Sequence, residues 1–503
     1  IGKSRLAREL RARIANDAHA FVEGRCSPDT QHSALLPVVE VLGRALGLDR
    51  EAGGPGDKVA RLEAELAGYG FEPAEAMPLF LPLFSLPVGP PYAPPDVSSQ
   101  RQKELTLDAI AALLCAMAER QPLFLLVEDL HWADPSTIEL LGRLVREAPS
   151  TPLFLVLTAR PEFSPPFPTT AMLQLHLGRL ERPQIEAMVA ELSGGKALPG
   201  AALERLVSRS DGVPLFVEEL TRATLESGAL VARGDRYELA GAPSDLEIPT
   251  TLRALVTARL DRLGRAKETV QFAAALGREF SVEVLSALSP LGPAAVQEDL
   301  DRLAGAGLLL RRRRLKDPVA SFKHALVRDA AYESMAKGAR QLVHARVAAT
   351  LEGGFAELVR TRPDLLAHHH AAAGQEGRAA GYALRAARDA LHRSAYAEAV
   401  AHASHAVDWA GSAGGAEGVE AELTANDVLT QALMPLHGWA DPRVKAAVDR
   451  SAALLQRVDA ASADRLPALW SLFTYHHVAS NRRAAGEAAE ALVAAAERSG
   501  DRG

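Results

Sequence analysis

The stretch Leu123-Phe124-Leu125-Leu126-Val127-Glu128-Asp129-Leu130-His131-Trp132-Ala133-Asp134-Pro135-Ser136 decides how this chain folds. Its apolar run has no polar alternation, so it predicts a strand buried on both faces. The run ends in two acids. Asp134 before Pro135 then supplies an N-cap and a first-turn proline for a helix over residues 136–147. A second apolar run, 153–157, ends in Thr158-Ala159-Arg160-Pro161. Apolar strands alternating with helices predict an α/β fold with a parallel sheet, covered on both faces. In such sheets ligands bind at the carboxyl ends of the strands, where Glu128, Asp129 and Arg160 fall.

Upstream, residues 4–14 carry Leu6, Leu10 and Ile14 four apart and predict a helix. Residues 20–24 read as a strand, 35–46 and 104–120 as helices, and 53–56 and the Pro-dense 87–95 as loops. Downstream, 173–177 reads as a further strand. Residues 183–192, 201–208 and 215–226 then read as helices. From Thr250 four short helices precede strands at 308–312 and 319–322, the order of a winged helix. Beyond residue 340 the chain is Ala-rich and helical. Segments 382–388 and 394–403 loosely match paired helices of a tetratricopeptide-type repeat. The organisation expected is therefore a parallel-sheet α/β core at 1–180, a helical segment at 181–248, a winged helix at 249–340 and a TPR-like α-solenoid at 341–503.

Composition narrows the classes. The 503 residues are 48% hydrophobic and 24% charged, an ordinary globular balance. A net charge of −7 argues against a dominant nucleic-acid role. Cys26 and Cys115, the two cysteines, exclude a disulfide scaffold and a Cys-rich zinc site and suit a reducing, cytoplasmic setting. No apolar run approaches the ~18 residues that span a bilayer.

The opening Gly2-Lys3-Ser4 matches the end of G-x-x-x-x-G-K-[ST]. Glycine lets backbone N–H groups close on phosphate oxygens. Lysine brings a cation to the β/γ-phosphates, the serine hydroxyl ligates Mg²⁺, and the helix that starts there points its positive end at the anion. The first strand and half the loop are missing, so the sequence reads as a fragment of a longer protein. Alone it is expected to bind ATP poorly and to be only partly stable over its first 180 residues. At the other end of the site, a carboxylate delivered by a buried strand has the form of a Walker B, holding Mg²⁺ and polarising the attacking water.

In order, Ile1-Gly2-Lys3-Ser4-Arg5-Leu6, then 127–137, then Leu157-Thr158-Ala159-Arg160-Pro161-Glu162-Phe163, then 212–220 (Gly-Val-Pro-Leu-Phe-Val-Glu-Glu-Leu) resemble the STAND-type signal-transduction ATPases. These are AAA-like modules found with bacterial adenylate/guanylate cyclases and large LuxR-type regulators. The resemblance covers about residues 1–340, and the helical tail matches the repeats that usually follow.

It implies that 1–180 is an α/β P-loop NTPase core and 181–248 its helical lid, and that Ile1 to Arg5 contact nucleotide, with Lys3 on phosphate and Ser4 on Mg²⁺. Asp129 takes the catalytic-acid position. Glu128 stands where such families more often have Asp, which leaves open which acid holds Mg²⁺ and which orients water. Arg160 resembles the sensor arginine that reads the γ-phosphate, Pro214 the adenine-packing proline of a GxP motif, and His324 the histidine of an M-H-D motif, here followed by Ala325. The bound species implied are ATP or ADP with Mg²⁺. The function implied is a nucleotide-dependent switch, ADP off and ATP on, with slow hydrolysis and an output domain or partner. Partners or self-association are expected through the repeats, no membrane is involved, and DNA is reached only through domains outside these residues. The rival readings are a nucleotide-gated scaffold without useful turnover, and part of a DNA-binding transcriptional regulator.

Two further signals read as inert. His368, His369 and His370 are consecutive, so on a helix they point about 100° apart and are not expected to share a metal. Arg311 to Arg314 read as a charged edge strand rather than a DNA contact.

Overall fold

The computed structural model describes residues 2–48, 54–168, 170, 172–240, 252–312, 318–459, 462 and 465–499. Its contacts divide the chain into two units: residues 1–16 with 173–343, and residues 17–172 with 344–503.

The second unit holds a parallel sheet of β1 (Ala20–Arg25), β2 (Leu123–Glu128) and β3 (Leu153–Leu157), with β2 in the middle. Register runs Ala20 to Leu123 and Leu123 to Leu153. All six residues of β2 are buried, as an unbroken apolar run requires. The helices Leu36–Ala45, Ser99–Arg120 and Pro135–Glu147 contribute to the same core, with Leu42, Leu113 and Leu144 fully buried. Each such leucine is worth about 1.5–3 kcal/mol of burial. Two further helices, Pro55–Gly68 and Pro73–Leu83, also join it, where sequence reading found no regular structure. Both open on a proline in the first turn, a start signal masked by neighbouring Gly and Pro.

The helical array of this unit runs Pro363–Ala372, Glu376–His392, Tyr396–Ala413, Gly415–His437, Pro442–Leu455, Arg465–Val478 and Arg482–Ser499. Ala399, Ala403, Ala406 and Ala410 are buried at helical spacing. Alanines on a contact face let backbones approach closely and leave space for polar groups. Asn426 Nδ2 donates to the Ala447 carbonyl at 2.7 Å and to Ser451 Oγ at 2.8 Å. Ser471 Oγ donates to Asp427 Oδ1 at 2.6 Å. The array also packs on the sheet half of the same unit. Ala34 clusters with Ala390, Ala395, Ala399 and Ala432. Ser33 Oγ donates to Asp364 Oδ2 at 2.5 Å, and His402 Nε2 donates to the His32 carbonyl at 2.8 Å.

The first unit contains the helix Lys3–Arg13 and the helices Arg182–Leu192, Gly200–Ser210 and Pro214–Glu226, followed by a hairpin of β4 (Leu230–Arg233) and β5 (Arg236–Leu239). Leu252–Arg262, Ala266–Leu276, Val282–Leu288, Gly292–Gly305 and Ala325–Glu333 come next. An antiparallel sheet accompanies them, ordered β6 (Glu279–Ser281), β8 (Val319–Phe322), β7 (Leu309–Arg312). The strand expected at 173–177 is absent: this segment has no regular structure, and Leu173 and Leu175 are exposed by 85% and 73%. Alternating leucines read as a strand only if another strand accepts their backbone, and among the described residues none pairs with them. Thr250, Arg313 and Arg314 lie outside the described residues.

The three consecutive histidines part company. His370 Nε2 lies 3.0 Å from Glu352 Oε1 and its Nδ1 lies 2.7 Å from Gln375 Oε1, with the ring stacked on Tyr382. His368 and His369 instead meet His344 from the helix Lys337–Gly354. One helix alone sends consecutive rings about 100° apart, and a second helix supplies the convergence.

Candidate nucleotide-binding site

The acids sit where the strand order predicts. Glu128 ends β2, is 2% exposed, and pairs with Arg25, its register partner at the end of β1. Arg25 offers its guanidinium to Glu128 Oε2. Glu128 Oε1 is buried and, among the described residues, has no hydrogen-bond partner. A carboxylate oxygen kept dry without a donor is costly, which suits a position that takes a cation. Asp129 follows with φ 60° and ψ 45°, a left-handed conformation that aspartate tolerates better than most residues. Its backbone N–H donates to Thr158 Oγ1 at 3.0 Å, so the hydroxyl at the end of β3 helps hold this turn. Arg160, two residues on, is exposed, and its guanidinium carbon lies 5.6 Å from the centre of the Trp132 ring.

Asp134 does what its position before a proline predicted. Its Oδ1 accepts the Thr137 N–H at 2.8 Å and the Leu35 N–H at 3.0 Å, and its Oδ2 accepts the Thr137 hydroxyl at 2.6 Å. The next N–H of this helix start, that of Ser136, donates to Glu398 Oε1 of the array at 3.0 Å. Two carboxylates thus converge on one positive helix end. Burial, and then the Glu398 charge, push Asp134 up to about 7.

The remaining candidates belong to the first unit. Gly2 takes φ 81° ahead of the helix Lys3–Arg13, and its carbonyl accepts the N–H groups of Arg5 and Leu6 at 3.0 and 3.1 Å. No acid lies in that helix's first turn. Ile1 lies outside the described residues. Pro214 occupies the first turn of Pro214–Glu226. Gly212, two residues before it, takes φ 65°, and an added Cβ would lie 2.5 Å from the Leu180 carbonyl oxygen. That glycine is thus required by the fold itself.

His324 precedes the helix Ala325–Glu333 without capping it through its side chain. Its Nε2 lies 3.8 Å from Glu218 Oε2 on the Pro214 helix, too long for a hydrogen bond. Lys323 is ion-paired to the same carboxylate. These neighbours, His324 first and then Lys323 and Arg222, hold Glu218 well below the usual carboxylate range against the opposing effect of burial. Pro214 and His324, far apart in sequence, are thereby brought to linked elements. The next residue along that helix, buried Glu219, pairs with Arg259.

Sequence reasoning missed Arg25, Thr158, Glu218 and Glu398. Parallel register could have found Arg25, since β1 and β2 end together. The other three depend on tertiary packing and carry no sequence signal.

Residues 1–156 match the family described as the AAA ATPase domain. The match spans β1 and β2, the strands that carry Arg25 and Glu128. An uncharacterised protein of Rhizobium meliloti is 28% identical over 431 residues, which is 84% of this chain and 40% of that protein; the chain therefore spans well under half of its relative. Among solved structures, a STAND protein with a tetratricopeptide repeat sensor from Pyrococcus horikoshii aligns over 98% of this chain and 71% of its own. The identity is 12% and the TM-score 0.39. None of the described helices is long and apolar enough to cross a membrane.

Proposed function

We propose that the chain is the ATP-driven switch module of a signal-transduction protein. ADP holds it off, ATP turns it on, and slow hydrolysis resets it. The observation that supports this best is Asp129. It stands in a left-handed turn at the carboxyl end of a fully buried central strand, inside a segment that matches an AAA ATPase domain. A carboxylate on so rigid a base is suited to orienting water for attack on phosphate.

In this reading Lys3 and Ser4 serve the phosphates, Glu128 with its unpartnered Oε1 serves Mg²⁺, and Arg160 reads the γ-phosphate. Mg²⁺, when bound, neutralises charge developing on the transferring group. The Arg25 ion pair fixes the Glu128 side chain, so only one of its oxygens is left for the cation. Pro214 packs on adenine. His324 reaches ADP from the segment 249–340, which we read as a winged helix behind a helical lid. The array from residue 341 onward takes the protein partner or a second copy.

Phosphate release and nucleotide binding, measured on a chain that carries the whole G-x-x-x-x-G-K-S loop, test the assignment. Asp129→Asn should keep ATP affinity and lose hydrolysis by ~10²-fold or more. Glu128→Gln should also weaken the Mg²⁺ dependence of binding. If the two phenotypes come out exchanged, Asp129 is the metal ligand. If both variants hydrolyse ATP like the parent, the reading fails.

A further inference from the structure

Three imidazoles from two helices converge in the second unit. His344 comes from Lys337–Gly354, and His368 and His369 from Pro363–Ala372. Their ring centres form a near-equilateral triangle with sides of 5.6, 5.1 and 5.3 Å. One nitrogen from each ring lies within 4.8 Å of the other two. His344 and His369 are each 1% exposed, while His368 is exposed. His344 Nδ1 and His369 Nδ1 are 2.8 Å apart, and His369 Nε2 is buried with no hydrogen-bond partner among the described residues.

We propose that this triad is a site for a divalent cation of the borderline class that imidazole binds, with Zn²⁺ as its best representative. The chemistry of the donors argues for the class. Three neutral nitrogens and no carboxylate suit Zn²⁺, Co²⁺, Ni²⁺ or Cu²⁺ and reject Mg²⁺ and Ca²⁺, which take oxygen. The site is therefore chemically distinct from Glu128.

The geometry argues for the fit. Zn–N bonds of ~2.0–2.1 Å at a tetrahedral angle put ligand nitrogens about 3.3 Å apart. The His344–His369 pair thus opens by roughly half an ångström as the proton shared between the two nitrogens gives way to the cation. The third ligand lies on the solvent side, which leaves the fourth position to water. Of the neighbouring groups, His370 is committed to Glu352 and Gln375 and supplies no ligand. Because His344 and the His368–His369 pair lie on different helices, the cation would tie the helix ending at Gly354 to the first helix of the array. Ligation of the native arrangement alone then raises its stability with cation concentration.

The test uses the tag-free chain, stripped with a chelator and titrated with Co²⁺ and with Zn²⁺. Expected are a saturable site of one cation per chain, tetrahedral Co²⁺ absorption bands that Zn²⁺ abolishes, a thermal midpoint that rises with Zn²⁺, and no response to Mg²⁺. His368→Ala changes an exposed side chain and leaves the core intact. It should weaken Zn²⁺ binding at least as much as loss of a supporting partner does, ~10- to 100-fold. His369→Gln should abolish the Co²⁺ bands. Absence of the bands in the parent chain overturns the proposal and leaves a hydrogen-bonded histidine pair. Equal Zn²⁺ affinity in the parent and His368→Ala overturns it as well.

Discussion

The two units hold their candidate residues in different ways. In the second unit Glu128 and Asp129 are carried by a strand whose six residues are all buried, between two neighbours in fixed parallel register. In the first unit Pro214 and His324 are carried by helices joined through half-buried charge, with Glu218 facing Lys323, His324 and Arg222. An aliphatic sheet tolerates no partial movement, because close-packed interiors transmit strain rather than absorb it. An ion pair at an intermediate depth can part and re-form at modest cost. The contrast matches a division of labour. In the proposed function, the residues assigned to the transition state sit on the rigid base, and those assigned to the nucleotide switch sit on the charged joint.

The largest expected effect breaks the rigid side. Leu125 is 4% exposed in the middle of β2, and Leu125→Ala should cost about 2–5 kcal/mol through lost burial and the cavity left behind. Trp132, Trp409, Trp439 and Trp470, the four tryptophans, all lie in the second unit, so their fluorescence during thermal melting reports this loss. A change below 1 kcal/mol would mean that the sheet relaxes around the gap and is not the rigid base described.

Next is the charged joint. A hydrogen bond to a charged phosphate is worth about 1.5–3 kcal/mol. His324→Ala should therefore speed ADP release by about 10- to 150-fold if the contact exists only in the closed state. Stopped-flow release of a fluorescent ADP measures it. An unchanged rate would leave His324 as a neighbour of Glu218 and no more.

The smallest effect sharpens the comparison inside the second unit. Asp134 is raised from its ordinary value to about 7 in the fold. A carboxylate with a raised folded-state value binds its proton more tightly folded than unfolded. Its stabilising contribution is complete below the unfolded value near 3.8 and is lost as pH rises through about 7. Asp134→Asn keeps an acceptor for the cap and removes the charge beside Glu398. The parent should lose more stability than the variant between pH 5.5 and 8, by about 1 kcal/mol or ~2–4 °C in the tryptophan-detected midpoint. Parallel pH profiles for the two proteins would show that Asp134 stays ionised throughout.

The same contrast explains what could be read in the sequence. Strands β2 and β3, the helix after Asp134 and the acids at the strand end follow from unbroken apolar runs and a proline, all local signals. The helices Pro55–Gly68 and Pro73–Leu83 were hidden because their starts lie among residues that also mark loops. Residues 173–177 misled because alternation alone says nothing about whether a partner strand is at hand. Glu218, Glu398 and the meeting of His344 with His369 were invisible, since each joins residues at least 25 positions apart through side chains. Gly212 was read for its place in a nucleotide motif, and its conformation and the nearby Leu180 carbonyl give it a packing reason that local sequence does not carry.

The switch itself is tested most directly by light scattering of Asp129→Asn in a chain that carries the whole G-x-x-x-x-G-K-S loop, which should hold ATP without consuming it, compared in saturating ADP and saturating ATP. Expected are a compact, unassembled species with ADP, a change in size or assembly state with ATP, and no response to either nucleotide in Lys3→Ala. Identical scattering in ADP and ATP, with binding of both verified, would contradict it.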